Sequence, residues 1–195
     1  MSISFKKFIL LLFTSLFTCY SVADWQLTPE HSTINFNSVK KEHLVENHHF
    51  NQFAATINED GKVMLTIDLS SVDTKISIRD QRMKEHLFNT KLFPQAAFSA
   101  QLNTEELENI AIGSSQSMTV NGDISLHGQK QTVEMDVLVS KLSSHKLLVV
   151  SQAPLIIHAE DFDLIAGINK LQALAKLPSI THSVPVNFIL TFTHQ

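Results

Sequence analysis

From Thr33 to the C-terminus, apolar and polar residues repeatedly alternate with a period of two, the signature of strands with one buried face. Ile34 and Phe36 alternate with Thr33, Asn35 and Asn37, and Val63, Leu65, Ile67 and Leu69 alternate with Met64, Thr66 and Asp68. Ala96, Phe98, Ala100 and Leu102 follow Pro94 in the same way. Met118, Val120, Ile124 and Leu126 keep one parity through Gly122, and after a turn at Gly128 the pattern returns in Val133, Met135, Val137 and Val139. The stretch from Gln116 to Ser140 is therefore a long hairpin. Val184, Val186, Phe188, Leu190 and Phe192 mark the last strand, with Pro185 at its start, where no ladder donor is missed.

Two stretches leave this period. Ser77 to Phe88 opens on a capping-box pattern, Ser77-Ile78-Arg79-Asp80, and spaces Met83 and Leu87 four apart, as a short helix would. Ile165 to Leu177 places Ile168, Leu171, Leu174 and Ala175 on one helical face, with Pro178 as a stop. Thr104 to Gln116 reads as an irregular connection. No repeat, linker or low-complexity tract divides the chain, so it forms one domain. About eight strands and one or two short helices predict an all-β, closed or nearly closed antiparallel barrel, which removes exposed strand edges. The pattern leaves a filled interior, a hollow one and a two-sheet sandwich open.

The first 23 residues break the pattern differently. Lys6 and Lys7 precede an apolar run from Phe8 to Phe17, and small residues end at Ser21-Val22-Ala23. That run spans about ten residues against the roughly 20 a bilayer span needs, so residues 1–23 read as a signal peptide cut after Ala23. Residues 24–195 would then be a periplasmic domain, not an integral membrane protein. Lipidation at Cys19 is the competing reading, disfavoured by the bulk of Phe17. Cys19 is the only cysteine, so cleavage leaves neither a disulfide nor a thiolate. Stability must come from the core, for which 44% hydrophobic residues suffice. Fifteen Lys and Arg against 19 Asp and Glu offer no cationic excess for nucleic acid or an anionic bilayer.

No catalytic site is legible. A Gly-x-Ser-x-Gly elbow, a phosphate loop and His-Glu-x-x-His are all missing from the sequence. Asp123, Ser125 and His127 share one strand face too far apart for a triad and read as solvated. Ten histidines include a group at His43, His48 and His49 that could take up a metal ion. Adjacent strand residues face opposite ways and no further ligand follows at a fixed spacing, so surface histidines are the better reading and no metal site is assigned. A His-rich metal-binding or stress-response protein is the alternative that this group keeps open. Asp80 offers Arg79 a partner, which favours a structural role for that pair.

Several segments in order resemble the YceI-like family of lipid- or polyisoprenoid-binding, lipocalin-like proteins. They are Pro29-Glu30-His31-Ser32-Thr33-Ile34-Asn35-Phe36, Phe50-Asn51-Gln52-Phe53, Ser71-Val72-Asp73-Thr74, Arg79-Asp80, Phe88-Asn89-Thr90-Lys91-Leu92-Phe93-Pro94 and Thr119 to Gly128. The resemblance runs from about Trp25 to Val139, and it departs where His48 and Ala55 stand in place of the family's usual glycines. It implies an extended lipocalin-like barrel around a hydrophobic tunnel, with no cofactor and a non-covalently held isoprenoid, quinone or fatty-acyl lipid as its partner. The tunnel lining it implies is Ile34, Phe36, Phe53, Leu65, Met83, Phe98, Val120, Met135, Phe162 and Phe188, with Arg79 as a polar head contact. Without the resemblance, the same apolar set would read as plain core. Oligomeric state is left open, a dimer included.

Overall fold

The computed structural model describes residues 25–194, so the signal-peptide cleavage and Cys19 lie outside the described residues. In chain order the elements are β1 (Trp25–Leu27), β2 (Thr33–Lys40), β3 (Leu44–Phe50), β4 (Phe53–Ile57), β5 (Lys62–Asp68) and β6 (Val72–Asp73). Then come α1 (Ser77–Arg82), β7 (Gln95–Gln101), α2 (Thr104–Glu108), β8 (Ser115–Leu126) and β9 (Gln129–Ser143). β10 (Lys146–Ser151), β11 (Leu155–His158), α3 (Ile165–Ala175) and β12 (Ser183–His194) complete the chain.

All twelve strands belong to one antiparallel sheet, and β1–β12 pairing closes it. Several strands are halves of one longer stave. β1 and β2 both pair with β12, at Trp25–His194 and Phe36–Val186. β4 and β3 follow beside them in turn, then β5 and β6. Counting β1–β2, β3–β4, β5–β6 and β10–β11 as single staves gives an eight-stave up-and-down barrel, the lipocalin-like arrangement expected from the alternation. The closed form therefore prevails over the sandwich.

The long hairpin runs from Ser115 to Ser143, somewhat beyond the alternating segment, and is turned by His127 and Gly128, both at positive φ (52° and 80°). Two left-handed residues in a two-residue loop match the twist of the flanking strands. Inside the barrel, Gly122 sits on the inward row of β8, where a Cβ would stand 2.4 Å from the Phe98 ring. Glycine is thus what lets that ring lie against the strand.

The helices differ in detail from their sequence patterns. Ser77 opens α1 without capping it: Ile76 is the cap residue and makes no side-chain bond. Asp80 does not complete a capping box either, because its carboxylate accepts from the Thr74 amide at 2.9 Å and from the Thr74 hydroxyl. The helix continues past Arg82 as a wider π-type turn, Met83–Leu87. α3 ends at Ala175 because Lys176 adopts φ 53°, two residues ahead of Pro178. The connection after Thr104 is not wholly irregular. It contains α2, capped by Asn103 through a bond from the Glu105 amide, and the buried Ile110 after it packs into the core.

Candidate functional site

Eight staves of alternating residues put one face of every strand inside, and the inside is not filled. A cavity of about 550 Å³ runs through the barrel. Its apolar body is built by Ile34 and Phe36 from β2, Ala55 and Ile57 from β4, Val63, Leu65 and Ile67 from β5, and Phe98 from β7. Met118 and Val120 of β8, Met135, Val137 and Val139 of β9, and Leu147 and Val149 of β10 continue it. The last strand contributes Val184, Val186, Phe188, Leu190 and Phe192, one unbroken parity.

Of the residues expected at the lining, Ile34, Phe36, Leu65, Met83, Phe98, Val120, Met135 and Phe188 border this cavity. Phe53 and Phe162 are not among its lining residues. Phe53 lies opposite Ile67 on the β4–β5 pair and packs, partly buried, against the barrel core. Phe162 belongs to a separate cluster with Ala159, Leu164 and Ile168, outside the alternating strands on which the parity argument depends. α3 instead sends Ile168, Leu171 and Ala175 to the lining, with Leu164 just before it. Its close approach requires Gly167, whose Cβ would stand 2.6 Å from the His86 carbonyl.

One end of the cavity is polar. α1 and α3 meet over the ends of β2 and β3, where Arg82 donates to the Leu174 carbonyl and the Thr181 amide donates to the Val39 carbonyl. Lining residues Ile76 and Ile78 are themselves exposed there, so the cavity reaches solvent between these elements. The inward row of β3 reads Glu46, His48, Phe50, and its neighbour β2 adds Ser38 and Lys40. One Glu46 carboxylate oxygen accepts from Lys40 at 2.7 Å and from Arg79 at 2.5 Å. Arg79 also donates to the Thr74 carbonyl at 2.7 Å. Its partner is therefore Glu46, across the barrel mouth, and not Asp80, which is occupied by Thr74. Partial burial works to raise the Glu46 carboxyl, but the hydrogen bonds from Lys40 and Arg79 outweigh it and hold it below its usual range.

His48 corrects the surface reading of the histidine group. It is 2% exposed, with Nε2 2.9 Å from the Ser38 hydroxyl and its ring centroid 5.1 Å from that of Phe36. Burial, reinforced by Arg79, pushes its pKa down to about 4, so the ring is neutral near neutral pH. His49 faces the other way, 3.5 Å from Asp73, and His43 lies in the turn before β3 with a largely exposed side chain. Strand alternation thus separates the three. Among the described residues no group of three or more His, Cys, Asp or Glu could hold a metal ion. Asp123 bonds Lys130 and Thr132, Ser125 is exposed, and His127 sits in the hairpin turn within reach of the Phe162 carbonyl.

The polar mouth was hidden because Leu44-Val45-Glu46-Asn47-His48-His49-Phe50 shows no apolar–polar alternation. Both faces of β3 carry polar groups, and only pairing with β2 at Phe36–His48 and Ser38–Glu46 shows which parity turns inward.

A model of the YceI-like domain matches residues 25–192. The chain belongs to the YceI-like family. Among solved structures, a polyisoprenoid binding domain from Saccharophagus degradans, implicated in plant cell wall breakdown, is similar at 34% identity and a TM-score of 0.86. The match covers 88% of this chain and 98% of that one. BcnA of Burkholderia cenocepacia shares 20% identity at a TM-score of 0.66, over 85% of this chain and 98% of that protein. The Campylobacter jejuni YCEI protein shares 16% at 0.54, over 76% and 84% respectively. These last two establish the shared YceI-like barrel alone. No curated protein matches the chain. Among the described residues of this YceI-like domain, no helix is long and apolar enough to cross a membrane.

Proposed function

We propose that this protein is an exported, periplasmic carrier that holds one long-chain amphiphilic lipid, an isoprenoid, quinone or acyl chain, in its barrel. The observation that carries this reading is the continuous apolar cavity of about 550 Å³ with a single polar end. That volume falls within the roughly 300–1,000 Å³ of small-molecule sites. A void lined by Phe, Met, Leu, Ile and Val gains nothing from water, whereas each CH₂ moved into it contributes about 0.8 kcal/mol. A chain-like tail therefore needs no charged anchor along its length. Similarity to the polyisoprenoid binding domain of Saccharophagus degradans supports the same ligand chemistry. Export rests on the signal-like segment before Asp24.

Mass spectrometry of an organic extract of purified protein tests the proposal. A single lipid class near one molecule per chain is expected. An extract without lipid, from protein prepared without detergent, would overturn it. Intact mass of the exported form should place the new N-terminus at Asp24, and an acylated Cys19 would contradict that part.

A further inference from the structure

Exposed apolar side chains are not spread evenly over this protein. Of the ten large ones among the described residues, Leu44, Val45, Ile76 and Ile78 belong to the cavity mouth, each between 46% and 60% exposed. The other six are distributed over β5, β9, β11, β12 and two loops. Leu44 and Val45 open β3 just before Glu46, and Arg79, the residue after Ile78, bonds that same Glu46. The β2–β3 turn is held in addition to the segment after α3: the Lys41 amide donates to the Ser179 carbonyl, and Lys40 bridges Ile180. Ile76, Ile78, Leu177 and Ile180 also line the cavity, so the apolar rim is continuous with the interior. The same segments are basic in an acidic protein. Residues 40–46, 74–82 and 174–181 carry six Lys and Arg against three Asp and Glu, whereas the rest of residues 25–194 carries seven against fifteen. Of those three acids, Glu46 is bonded by Lys40 and Arg79, and Asp80 by Thr74. Lys41, Arg82 and Lys176 have no carboxylate partner among the described residues, and both lysines are exposed. The chain-wide charge balance, which gave no reason to expect an anionic bilayer as partner, averages over this asymmetry.

We infer that the mouth is a docking surface for a lipid bilayer containing anionic lipids. Leu44, Val45, Ile76 and Ile78 enter the interface, and Lys41, Arg82 and Lys176 meet the head groups. Apolar side chains beside cations suit an interfacial surface, because apolar area is buried at the boundary of the acyl chains while each cation adds attraction to the anionic leaflet. The acidic remainder of the molecule is repelled by that leaflet, which turns the mouth toward the membrane. Docked in this way, the mouth opens directly onto the bilayer. Under the carrier reading, on which this last step alone rests, a lipid then enters the barrel without crossing water.

The test is flotation of the full-length mature protein with vesicles of phosphatidylcholine, alone or with about a third phosphatidylglycerol. Binding to the anionic vesicles should be about tenfold tighter than to the neutral ones and should weaken as salt rises. Two double variants probe the two kinds of contact. Lys41→Glu with Lys176→Glu, and Leu44→Ser with Val45→Ser, should each weaken vesicle binding about tenfold. None of these four residues lines the cavity, so uptake of a fluorescent apolar probe in solution should stay within about twofold. Leu92→Ser and Ile156→Ser, which alter exposed apolar residues elsewhere, should leave vesicle binding unchanged. Absence of vesicle binding, equal binding to both compositions, or an equal loss with Leu92→Ser and Ile156→Ser would overturn the docking surface. Sedimentation of a dimer that Leu44→Ser with Val45→Ser disperses, without vesicle binding, would assign the face to a second copy and overturn it as well. Absence of probe uptake by the unaltered protein would overturn the carrier reading, while docking is decided by flotation alone.

Discussion

The two ends of this cavity are built from different strands and different chemistry. Toward β9, β10 and the end of β12, the wall is Val137, Val139, Leu147, Leu190 and Phe192, each at most 8% exposed, and no ionisable side chain enters it. At the mouth, β2, β3 and α1 turn Lys40, Glu46, His48 and Arg79 inward, where Lys40 and Arg79 bond Glu46 and His48 bonds Ser38. The contrast teaches that burial alone does not decide whether a polar group is tolerated in this barrel. What decides is whether a partner stands on the neighbouring inward row.

The hardest test of that contrast is to place a charge at the apolar end. Leu147, near the start of β10 and opposite Phe192, is 1% exposed. Leu147→Asp should cost about 5 kcal/mol or more, the lost burial and an unpaired carboxylate together. Urea unfolding of the ligand-free protein measures it, and a change under about 1 kcal/mol would mean that the apolar end is wetter than the lining implies.

Acidification probes the mouth. The folded state holds His48 at about 4 against an ordinary 6.5, so the unfolded chain binds the proton first as pH falls. Stability from this group is complete above pH 6.5 and is lost progressively down to about pH 4, on the order of 3 kcal/mol in all. Ser38 bonds the ring, and the charges acting on it are Arg79, Glu46, Asp80 and Lys40. Glu46, held low, adds a loss of the same sign only at lower pH. His48→Phe should flatten the profile between pH 6.5 and 4, and an unchanged profile would place the titration elsewhere.

Phe188 lies between the two ends. Phe188→Ala in solid core would cost about 3–5 kcal/mol. Bordering a void, it should cost about 2 kcal/mol and lower lipid content more than replacement of its outward neighbour Asn187 does. A severe loss of stability with lipid content unchanged would mark Phe188 as ordinary core. The smallest effect belongs to the ion group: Arg79→Met should cost about 1 kcal/mol, because Arg79 and Glu46 side chains keep 23% and 25% of their exposure and are partly screened. That loss should shrink further at high salt, whereas the Leu147 effect should not.

Much of the barrel was legible because strand alternation is local. Ile34, Leu65, Val120 and Phe188 could each be assigned inward from their own segments, and the cavity borders all of them. Phe162 could not, since its short helical turn has no period-two neighbour from which to read a face. The mouth was illegible for another reason. Arg79 bonds Glu46 across 33 residues, and neither position signals the other, so the adjacent Asp80 looked like the natural partner.

The sequence by itself determined that the chain is mostly strand, that one face of each strand is apolar, and which ordered segments place it beside the YceI-like proteins. Those are properties of short windows, where side-chain period and turn chemistry act within a few residues. Only the tertiary structure decided that the inward faces leave a void instead of meeting, because that depends on how far apart eight paired staves stand once β1 closes onto β12. It also decided that His48 is an enclosed neutral ring and not a surface ligand, because pairing with Phe36 sets its parity. A one-residue slip of that register would turn the same histidine out to water.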